Sequence, residues 1–214
     1  MSTLTMTTDN KDARFWDRIA PRYSRKPVPD QAAYDTKLAK TSSYLKPTDQ
    51  VLEIGCGTGT TALHHAANAQ HILATDISGG MIDIARTKAR EAGVDNVTFE
   101  VSSIDSLADA PATYDVIMAH SILHLVDDVP GTLRKLHGML KPGGLLISST
   151  PCIGDSAPWF GWIAPLPQKL GLIPKVNVFR KDAFYQWLAD AGFEFEEVWQ
   201  TNPKAAHYLV NTKA

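Results

Sequence analysis

The sequence predicts an α/β fold in which a doubly wound, mostly parallel sheet carries helices on both of its faces. Short apolar runs alternate with segments of helical periodicity from residue 50 to residue 150. The first apolar run ends in a glycine-rich turn, a common junction between a strand and the following helix in such sheets. Two strand-like runs near the C-terminus are joined by the short connection Asn202-Pro203-Lys204, so the last strand should run antiparallel to its neighbours.

Each predicted element follows from a local pattern of apolar and chain-breaking residues. Two helices are expected between residues 13 and 46, separated by Pro21, Pro27 and Pro29, because proline interrupts a helix. The five strands that follow are predicted at residues 50–54, 71–75, 97–101, 115–119 and 145–150. The remaining helices are predicted at 59–69, 79–92, 129–141 and 181–191, and the last two strands at 193–201 and 205–212. Gly93 should end the second of these helices, and Lys141-Pro142-Gly143-Gly144 should end the third.

The composition indicates one soluble globular domain, since 44% of the 214 residues are apolar, 21% are charged and the net charge is −2. The sequence has no basic stripe, so we expect no nucleic-acid partner. Cys56 and Cys152 belong to no metal-binding cluster, and we expect them to be reduced thiols of a cytoplasmic protein. Residues 1–12 resemble a disordered tail rather than a signal peptide. Prolines interrupt the apolar segment 157–174, so no transmembrane segment is expected.

The most informative stretch is the turn after the first strand. Glu53 lies near the end of an apolar run, and Gly55, Gly57 and Gly59 follow at alternate positions. Glycine accepts a positive φ and lets a ligand lie against the backbone at the start of the next helix. Asp76 ends the next apolar run, 21 residues beyond Gly55, where a doubly wound fold places the acid that holds a ribose. The sequence therefore predicts a cofactor that contains adenosine.

A dinucleotide is one alternative cofactor, because Gly57-Thr58-Gly59-Thr60-Thr61-Ala62 fits the pattern G-x-G-x-x-A. Glu53 counts against it, since an acid just before the turn would repel a pyrophosphate on the helix N-terminus. The terminal hairpin and the short chain also count against a nicotinamide-dependent (NAD) oxidoreductase. That oxidoreductase and a non-catalytic cofactor-binding protein are the alternatives from other functional classes.

Five segments in order make the chain resemble the class I S-adenosylmethionine-dependent methyltransferases, in particular the small ones similar to ubiquinone and menaquinone methyltransferases. These segments are Phe15–Tyr23, Val51–Gly59, Ala74–Ser78 with Met81, Tyr114–Ala119 with Leu123-His124, and Leu140–Leu145. The resemblance implies a Rossmann-like sheet of seven strands. It also implies a helical lid at residues 13–46 and a methyltransferase domain at 47–214, with a substrate cover at 151–180. The implied cofactor is S-adenosyl-L-methionine, with S-adenosyl-L-homocysteine as product and no metal.

The resemblance also implies which residues bind the cofactor. Glu53 would orient the loop or the amino end of the cofactor, and Asp76 would accept hydrogen bonds from both ribose hydroxyls. Ser103 stands where the family often has aspartate, but its hydroxyl can still bond the adenine amino group. Gly79-Gly80 departs from the usual helix start and is expected to loosen that turn. The implied cofactor-binding positions are Glu53, Gly55, Cys56, Gly57, Gly59, Thr60, Asp76, Ile77, Met81, Ser103, Ile104, Ala119, His120 and Tyr23.

Methyl transfer from a sulfonium is an in-line displacement, so alignment and desolvation can supply most of the catalysis. The candidate catalytic residues follow the fourth strand or belong to the lid, and they are His120, Ser121, His124 and Tyr23. A histidine at that edge could accept a proton from the acceptor or orient it. The spacing of His120 and His124 could suit a metal ion, but no acid or cysteine completes a ligand set.

The segment 151–180 carries aromatic residues and few charges, which suits a small or apolar methyl acceptor. The candidate substrate-binding residues are Trp159, Phe160, Trp162 and, from the lid, Trp16. We expect a small thiol or sulfide as acceptor, or alternatively a quinone precursor or a phospholipid amine. The aromatic residues could instead pack on the sheet, contact a membrane surface or form a homodimer, so both a monomer and a homodimer stay open.

Overall fold

The computed structural model describes residues 11–202 and 205–214, so residues 1–10 of the predicted tail lie outside the described residues. The helices are α1 (Lys11–Tyr23), α2 (Gln31–Tyr44), α3 (Thr60–His65), α4 (Gly79–Ala92), α5 (Val129–Met139), α6 (Ile153–Ser156), α7 (Phe160–Ile163), α8 (Pro165–Lys169) and α9 (Lys181–Asp190). The strands are β1 (Gln50–Ile54), β2 (His71–Asp76), β3 (Val97–Val101), β4 (Tyr114–His120), β5 (Leu140–Thr150), β6 (Phe193–Trp199) and β7 (His207–Lys213). A 3-10 helix, Ala66–Asn68, continues α3, and the last two residues of the predicted tail are the first two of α1.

These strands form one sheet in the order β3-β2-β1-β4-β5-β7-β6. Neighbours from β3 to β5 pair in parallel, and β7 is antiparallel to both β5 and β6. The strand order reverses between β1 and β4, since β2 and β3 lie on one side of β1 and β4 lies on the other. In sheets of this kind, ligands bind at the carboxyl ends of the strands at such a point. The predicted seven-stranded fold with an antiparallel last strand is confirmed.

Helices cover both faces of the sheet, and each face has its own apolar core. The core on the α5 and α9 side contains Leu133, Leu136 and Phe184, which are fully buried. The core on the other face contains Ala62 of α3 and Ile82 of α4, which are equally buried. The carboxyl edge between the two cores is therefore supported from both faces. In the described part of the chain, no helix is long and apolar enough to cross a membrane.

The junction between α5 and β5 differs from the sequence prediction. Helix α5 ends two residues early, and Lys141-Pro142-Gly143-Gly144 lies within β5 rather than in a turn. Leu140 is already extended, with φ −73° and ψ 143°, and pairs with Tyr114 before the pairing shifts register. The Lys141 ammonium lies 2.8 and 2.7 Å from the two carboxylate oxygens of Asp115. This contact between neighbouring strands holds the irregular stretch in the sheet.

Pro21 also differs from its predicted role, because it lies inside the last turn of α1 rather than between two helices. The helix ends two residues later, at Tyr23, so little helix is left for the proline to disturb. The carbonyl of Pro21 accepts hydrogen bonds from Ser24 Oγ at 3.1 Å and Arg25 Nε at 2.9 Å. The end of the helix is therefore satisfied by side chains.

Helix α1 is docked on the N-terminus of α4. The Oδ1 atom of Asp17 accepts hydrogen bonds from Ser78 Oγ at 2.6 Å and from the backbone N–H of Gly80 at 2.9 Å. A Cβ at position 80 would lie 3.4 Å from the Asp17 Cα, which is an ordinary van der Waals contact, so the hydrogen bonds rather than the missing side chain account for the docking. The two hydrogen bonds tie the start of α4 to α1, and the expectation of a looser turn at Gly79-Gly80 stays a prediction. Gly93 ends α4 with φ +64°, as predicted.

Candidate active site

Three glycines with positive φ shape the loop between β1 and α3, and each serves a different purpose. A Cβ on Gly55 would lie 2.6 Å from the Ile122 side chain, and one on Gly59 would lie 2.7 Å from the Phe99 ring. These two glycines therefore permit close packing. A Cβ on Gly57 would meet nothing within 4 Å. Gly57 is the position where a ligand can lie against the loop.

Asp76 ends β2 and is held by backbone amides. Its Oδ2 accepts a hydrogen bond from Gly57 N at 2.9 Å, and its Oδ1 accepts one from Ser78 N at 2.9 Å. Burial raises the pKa of Asp76, whereas the amide hydrogen bonds oppose that rise. Because a carboxylate oxygen can accept more than one hydrogen bond, both oxygens can still bind ligand hydroxyls.

Glu53 in β1 is a buried acid with one unsatisfied oxygen. Its Oε2 has no hydrogen-bond partner among the described residues. Burial, followed by the nearby charge of Asp76, raises the pKa of Glu53 to about 8. An ionised carboxylate at this depth requires a cationic partner. A ligand that carries an ammonium group would therefore match Glu53.

Two cavities open at the carboxyl edge of the sheet. The first has a volume of about 280 Å³ and runs from the glycine loop to β3. The residues predicted to hold ribose and adenine line it, and they are Asp76, Ile77, Met81, Ser103 and Ile104. Trp16, the lid residue predicted to bind substrate, also lines this cavity. The first cavity therefore has the wall residues expected for an adenosine site.

The second cavity has a volume of about 420 Å³ and lies between α2 and the glycine loop. Glu53, Cys56 and Thr60 line its loop side, and Lys37 lines its helix side. The two cavities share a junction, which is formed by Tyr23, Gly55, Gly57, His120 and Ser121. The described residues include no group of three or more histidine, cysteine, aspartate or glutamate side chains that could hold a metal ion.

His120 ends β4 at this junction. Its ring nitrogens have no hydrogen-bond partner among the residues that the structure describes. Burial, followed by the neighbouring His65 and Lys37, lowers the pKa of His120 to about 3. The ring is therefore neutral at pH 7 and has one nitrogen that can accept a hydrogen bond or a proton.

Two further junction residues have unusual environments. Ser121 has φ +56°, which is uncommon outside glycine, and its N–H donates to the carbonyl of Ser149 at 2.8 Å. Backbone strain of this kind tends to be kept at functional sites. Tyr23 packs edge-on against Trp16, with ring centroids 6.2 Å apart. Partial burial and the charge of Asp76 raise the pKa of Tyr23, so its phenol stays a hydrogen-bond donor.

Some predicted site residues line neither cavity. Gly59 has no side chain where the Phe99 ring packs against it, and Ala119 is fully buried in the core beside α5. The ring Nδ1 of His124 is buried and has no hydrogen-bond partner in the part of the chain that the structure describes, and burial lowers the pKa of His124 to about 4. Its carbonyl accepts a hydrogen bond from Asn177 N at 2.7 Å. These contacts place His124 beneath the segment that follows β5 rather than at the junction.

The aromatic residues of the predicted cover also lie away from the cavities. Trp159 is 60% exposed, Trp162 is 89% exposed, and neither lines the first or the second cavity. Phe160 packs edge-on against Trp159, with centroids 6.2 Å apart, and also lies outside both cavities. The structure therefore does not bring these three residues together with Trp16.

Sequence reasoning missed a second group of residues that close the cavities. Lys37 donates to Ser149 Oγ at 3.4 Å, and burial lowers the pKa of Lys37. Over the first cavity, the backbone N–H of Lys175 donates to Asp12 Oδ1 at 3.1 Å, and its ammonium lies 2.6 Å from Asp127 Oδ1. These residues belong to no short motif. Only the folded chain shows that they converge.

A family model described as a methyltransferase domain matches residues 28–198, which is most of the chain. Together with the sheet order and the glycine loop, this match shows that the chain belongs to the methyltransferase domain family. It is an S-adenosylmethionine-dependent methyltransferase of class I, similar to the ubiquinone methyltransferases.

Relatives and solved structures agree with this assignment. The ubiquinone biosynthesis O-methyltransferase of Saccharophagus degradans is 25% identical over 229 residues, which cover 100% of this chain and 94% of that protein. The protein of the same name from Xanthomonas axonopodis is 29% identical and covers 86% of this chain and 77% of its own length. A methyltransferase structure from Listeria monocytogenes has a TM-score of 0.70 at 19% identity, with 86% of this chain and 100% of that chain covered. The last of these likenesses concerns the fold alone.

Proposed function

We propose that this chain is an enzyme that moves the methyl group of S-adenosylmethionine to a hydroxyl oxygen of a small aromatic acceptor, of the kind found in quinone precursors. The observation that carries the proposal is the position of His120 at the junction of the two cavities. A neutral imidazole at that point can accept the proton that a hydroxyl loses on methylation.

The residues present fit the cofactor. The open side of Gly57 leaves space against the loop, and Asp76 offers acceptors for two ribose hydroxyls. The unsatisfied Oε2 of Glu53 matches the amino group of the methionine part. Lys37 lines the same cavity and provides the positive charge that a carboxylate needs. These features support adenosine in the first cavity and the amino acid end in the second.

When bound, S-adenosylmethionine supplies a methyl group on a positively charged sulfur. Tyr23 and Ser121 lie at the junction and can orient the acceptor hydroxyl by hydrogen bonds. Transfer would form a bond from the hydroxyl oxygen to the methyl carbon and break the carbon–sulfur bond, which leaves the neutral thioether of S-adenosylhomocysteine. The hydroxyl proton would become strongly acidic as the new bond forms, so the weakly basic ring of His120 can accept it. Asp12 and Lys175 close the first cavity above the site and restrict the entry of water.

The choice of an oxygen acceptor follows the relatives. Two proteins that align with 86% and 100% of this chain are named as O-methyltransferases of ubiquinone biosynthesis. No feature of the described residues favours the thiol or sulfide that the sequence analysis put first. The quinone-directed alternative is therefore the one we propose.

Isothermal titration with S-adenosylmethionine, S-adenosylhomocysteine and NADH tests the cofactor. We expect tight binding of the first two and no binding of NADH. Binding of NADH alone would assign the glycine loop to a dinucleotide and overturn the proposal.

Transfer of labelled methyl from S-adenosylmethionine tests the acceptor, with the catechol caffeate and the thiol dithiothreitol as probes. A labelled methyl ether of caffeate is expected. Label on dithiothreitol alone would restore the thiol as acceptor. Cofactor binding without transfer to either probe would favour the non-catalytic alternative.

A further inference from the structure

The segment between β5 and α9 presents an apolar surface. Six large apolar side chains between residues 159 and 172 are 56–89% exposed, and they are Trp159, Trp162, Ile163, Leu166, Leu170 and Leu172. Soluble monomers seldom expose so many large apolar side chains together. We call these six residues the apolar cover.

The active site does not account for this exposure. None of the six residues lines either cavity. Helices α7 and α8 span only four and five residues, and Pro165 and Pro167 shorten them. Such short helices cannot bury a full apolar face against the sheet. The apolar cover therefore needs another explanation.

The surface next to the apolar cover is basic. No basic stripe was found in the sequence alone, but the structure shows a local one. Six exposed cations lie in α1 and the residues just after it, and they are Lys11, Arg14, Arg18, Arg22, Arg25 and Lys26. The two acids of the same stretch are engaged by other elements. Asp12 accepts a hydrogen bond from the Lys175 backbone, and Asp17 accepts two at the start of α4. We call the six cations the basic stretch.

The apolar cover and the basic stretch adjoin. The Arg18 guanidinium donates to the carbonyl of Gly171 at 3.3 Å, and Gly171 stands between Leu170 and Leu172 of the cover. No aspartate or glutamate occurs from residue 156 to residue 181, so no acid within that segment opposes the charge of the basic stretch. Exposed tryptophan and leucine beside arginine and lysine are typical of a protein face that lies on a membrane.

We propose that the apolar cover and the basic stretch together dock on the surface of an anionic lipid bilayer. The tryptophan and leucine side chains would enter the interfacial region, while the arginine and lysine side chains meet the anionic headgroups. A second copy of the chain is a poorer occupant. A two-fold interface through the same patch would bury both basic stretches in one contact, and the segment from residue 156 to residue 181 supplies no acid to pair with them.

Docking of this kind would also place the first cavity next to the lipid. Lys175 follows the cover in the chain, and it closes that cavity together with Asp12. An apolar acceptor dissolved in the bilayer would then be close to the junction. The docking proposal goes beyond the proposed function and stands without it, because vesicle binding requires neither cofactor nor acceptor.

Vesicle flotation with the full chain tests the proposal. We expect binding to vesicles of equal parts phosphatidylcholine and phosphatidylglycerol, and much weaker binding to phosphatidylcholine alone. Salt should weaken the binding to the mixed vesicles, because it screens the contribution of the basic stretch.

Matched variants test each part of the surface. Leu166→Glu with Leu170→Glu should lower binding to the mixed vesicles by about tenfold or more. Val198→Glu, at an exposed apolar position on β6, should leave it unchanged. Arg22→Gln with Arg25→Gln should also weaken binding. Arg90→Gln with Arg134→Gln, which changes two exposed arginines on α4 and α5, should not weaken binding to the mixed vesicles.

Three results would overturn the proposal. The first is that the unaltered chain does not float with the mixed vesicles. The second is that a matched control variant loses as much vesicle binding as the variant it is paired with. The third is a dimer, seen by light scattering, that the double leucine variant converts to a monomer without any vesicle binding. Circular dichroism checks that each variant is folded. A failure to bind S-adenosylhomocysteine would count against the proposed function and not against docking.

Discussion

The two sides of the candidate site are assembled in different ways. On the cofactor side, Gly57 and Asp76 lie 19 residues apart and are joined directly by a hydrogen bond. On the lid side, Asp12 and Lys175 are 163 residues apart, and Lys37 and Ser149 are 112 residues apart. The cofactor side is thus a product of one strand–turn–helix unit and its neighbour. The lid side exists only when distant segments have folded together.

The two sides also differ in charge. Glu53 gives the cofactor side a buried carboxyl group and Asp76 a partly buried one, and one oxygen of Glu53 lacks a partner among the described residues. The junction with the lid side carries the neutral ring of His120, and Lys37 lies nearby. A cationic ligand matches the first arrangement, whereas a neutral acceptor that loses a proton matches the second. Substitutions on the two sides should therefore change different measured quantities.

The largest effect is expected from Asp76→Ala, which breaks the cofactor side. The change removes the acceptors for the ribose hydroxyls and for the Gly57 amide, each a charge-assisted hydrogen bond. We expect the affinity for S-adenosylhomocysteine to fall about a hundredfold or more, as measured by calorimetry.

Asp83→Ala is the matched control, because Asp83 is an exposed aspartate on α4. The affinity of Asp76→Asn for S-adenosylhomocysteine should lie between those of the native chain and Asp76→Ala, since one oxygen acceptor is kept. Native affinity in Asp76→Ala would remove the ribose assignment.

His120→Gln should change turnover rather than cofactor affinity. Glutamine can still accept a hydrogen bond but cannot take a proton, so kcat should fall about tenfold to a hundredfold. The affinity for S-adenosylhomocysteine should stay within about threefold of the native value. Steady-state kinetics and calorimetry on the same preparation separate the two quantities.

His64→Gln serves as the control for His120, because His64 is exposed on α3. Since burial lowers the pKa of His120 to about 3, the ring stays neutral down to about pH 4. The native pH profile of kcat should therefore show no loss from His120 ionisation between about pH 5 and 8. Normal turnover in His120→Gln would leave His120 as a wall residue only.

Glu53 should make cofactor binding depend on pH. Because burial raises the pKa of Glu53 to about 8, the carboxyl is protonated at pH 6 and has to lose its proton to pair with an ammonium group. The affinity for S-adenosylhomocysteine should rise by up to about tenfold per pH unit until about pH 8, and then level off.

The proton released by Glu53 is measured by calorimetry at pH 7 in two buffers that differ in ionisation enthalpy. Glu53→Gln should bind more weakly at pH 8 and should release no such proton. An unchanged pH dependence in Glu53→Gln would show that Glu53 does not meet the amino group.

The sequence was sufficient to predict the fold and the meeting of Asp76 with the glycine loop, because both depend on local patterns. Strand β1 spans Gln50–Ile54, the range that its apolar run predicted, and Asp76 lies against the glycine loop. The predicted end of α5 was wrong. The strand pairing of Leu140 with Tyr114 ends the helix before it reaches Lys141–Gly144, where the sequence had placed the stop. Periodicity within a segment cannot show such a pairing.

The lid side was predicted less well for a related reason. Trp159 and Trp162 were expected at the substrate site because they are aromatic, but aromatic character does not fix the direction in which a short helix faces. Lys37 carried no motif at all, and it reaches the second cavity only because α2 packs beside the glycine loop. Contacts between distant segments decide these positions.

The smallest effect is expected from Asp17→Asn, which tests how the lid is joined to the cofactor side. The change weakens the hydrogen bonds from Ser78 Oγ and Gly80 N that dock α1 on α4. At about 1 kcal/mol for such a loss, the melting temperature should fall by about 2–4 °C. The affinity for S-adenosylhomocysteine should fall a few-fold, because α1 carries Trp16 and Tyr23 over the first cavity. The rate of the chemical step, measured in a single turnover at saturating cofactor, should not change.

Asp35→Asn, at an exposed position on α2, is the control for Asp17→Asn. If Asp17→Asn lowered the single-turnover rate as strongly as His120→Gln, the lid would position the acceptor directly, and the division between the two sides would fail.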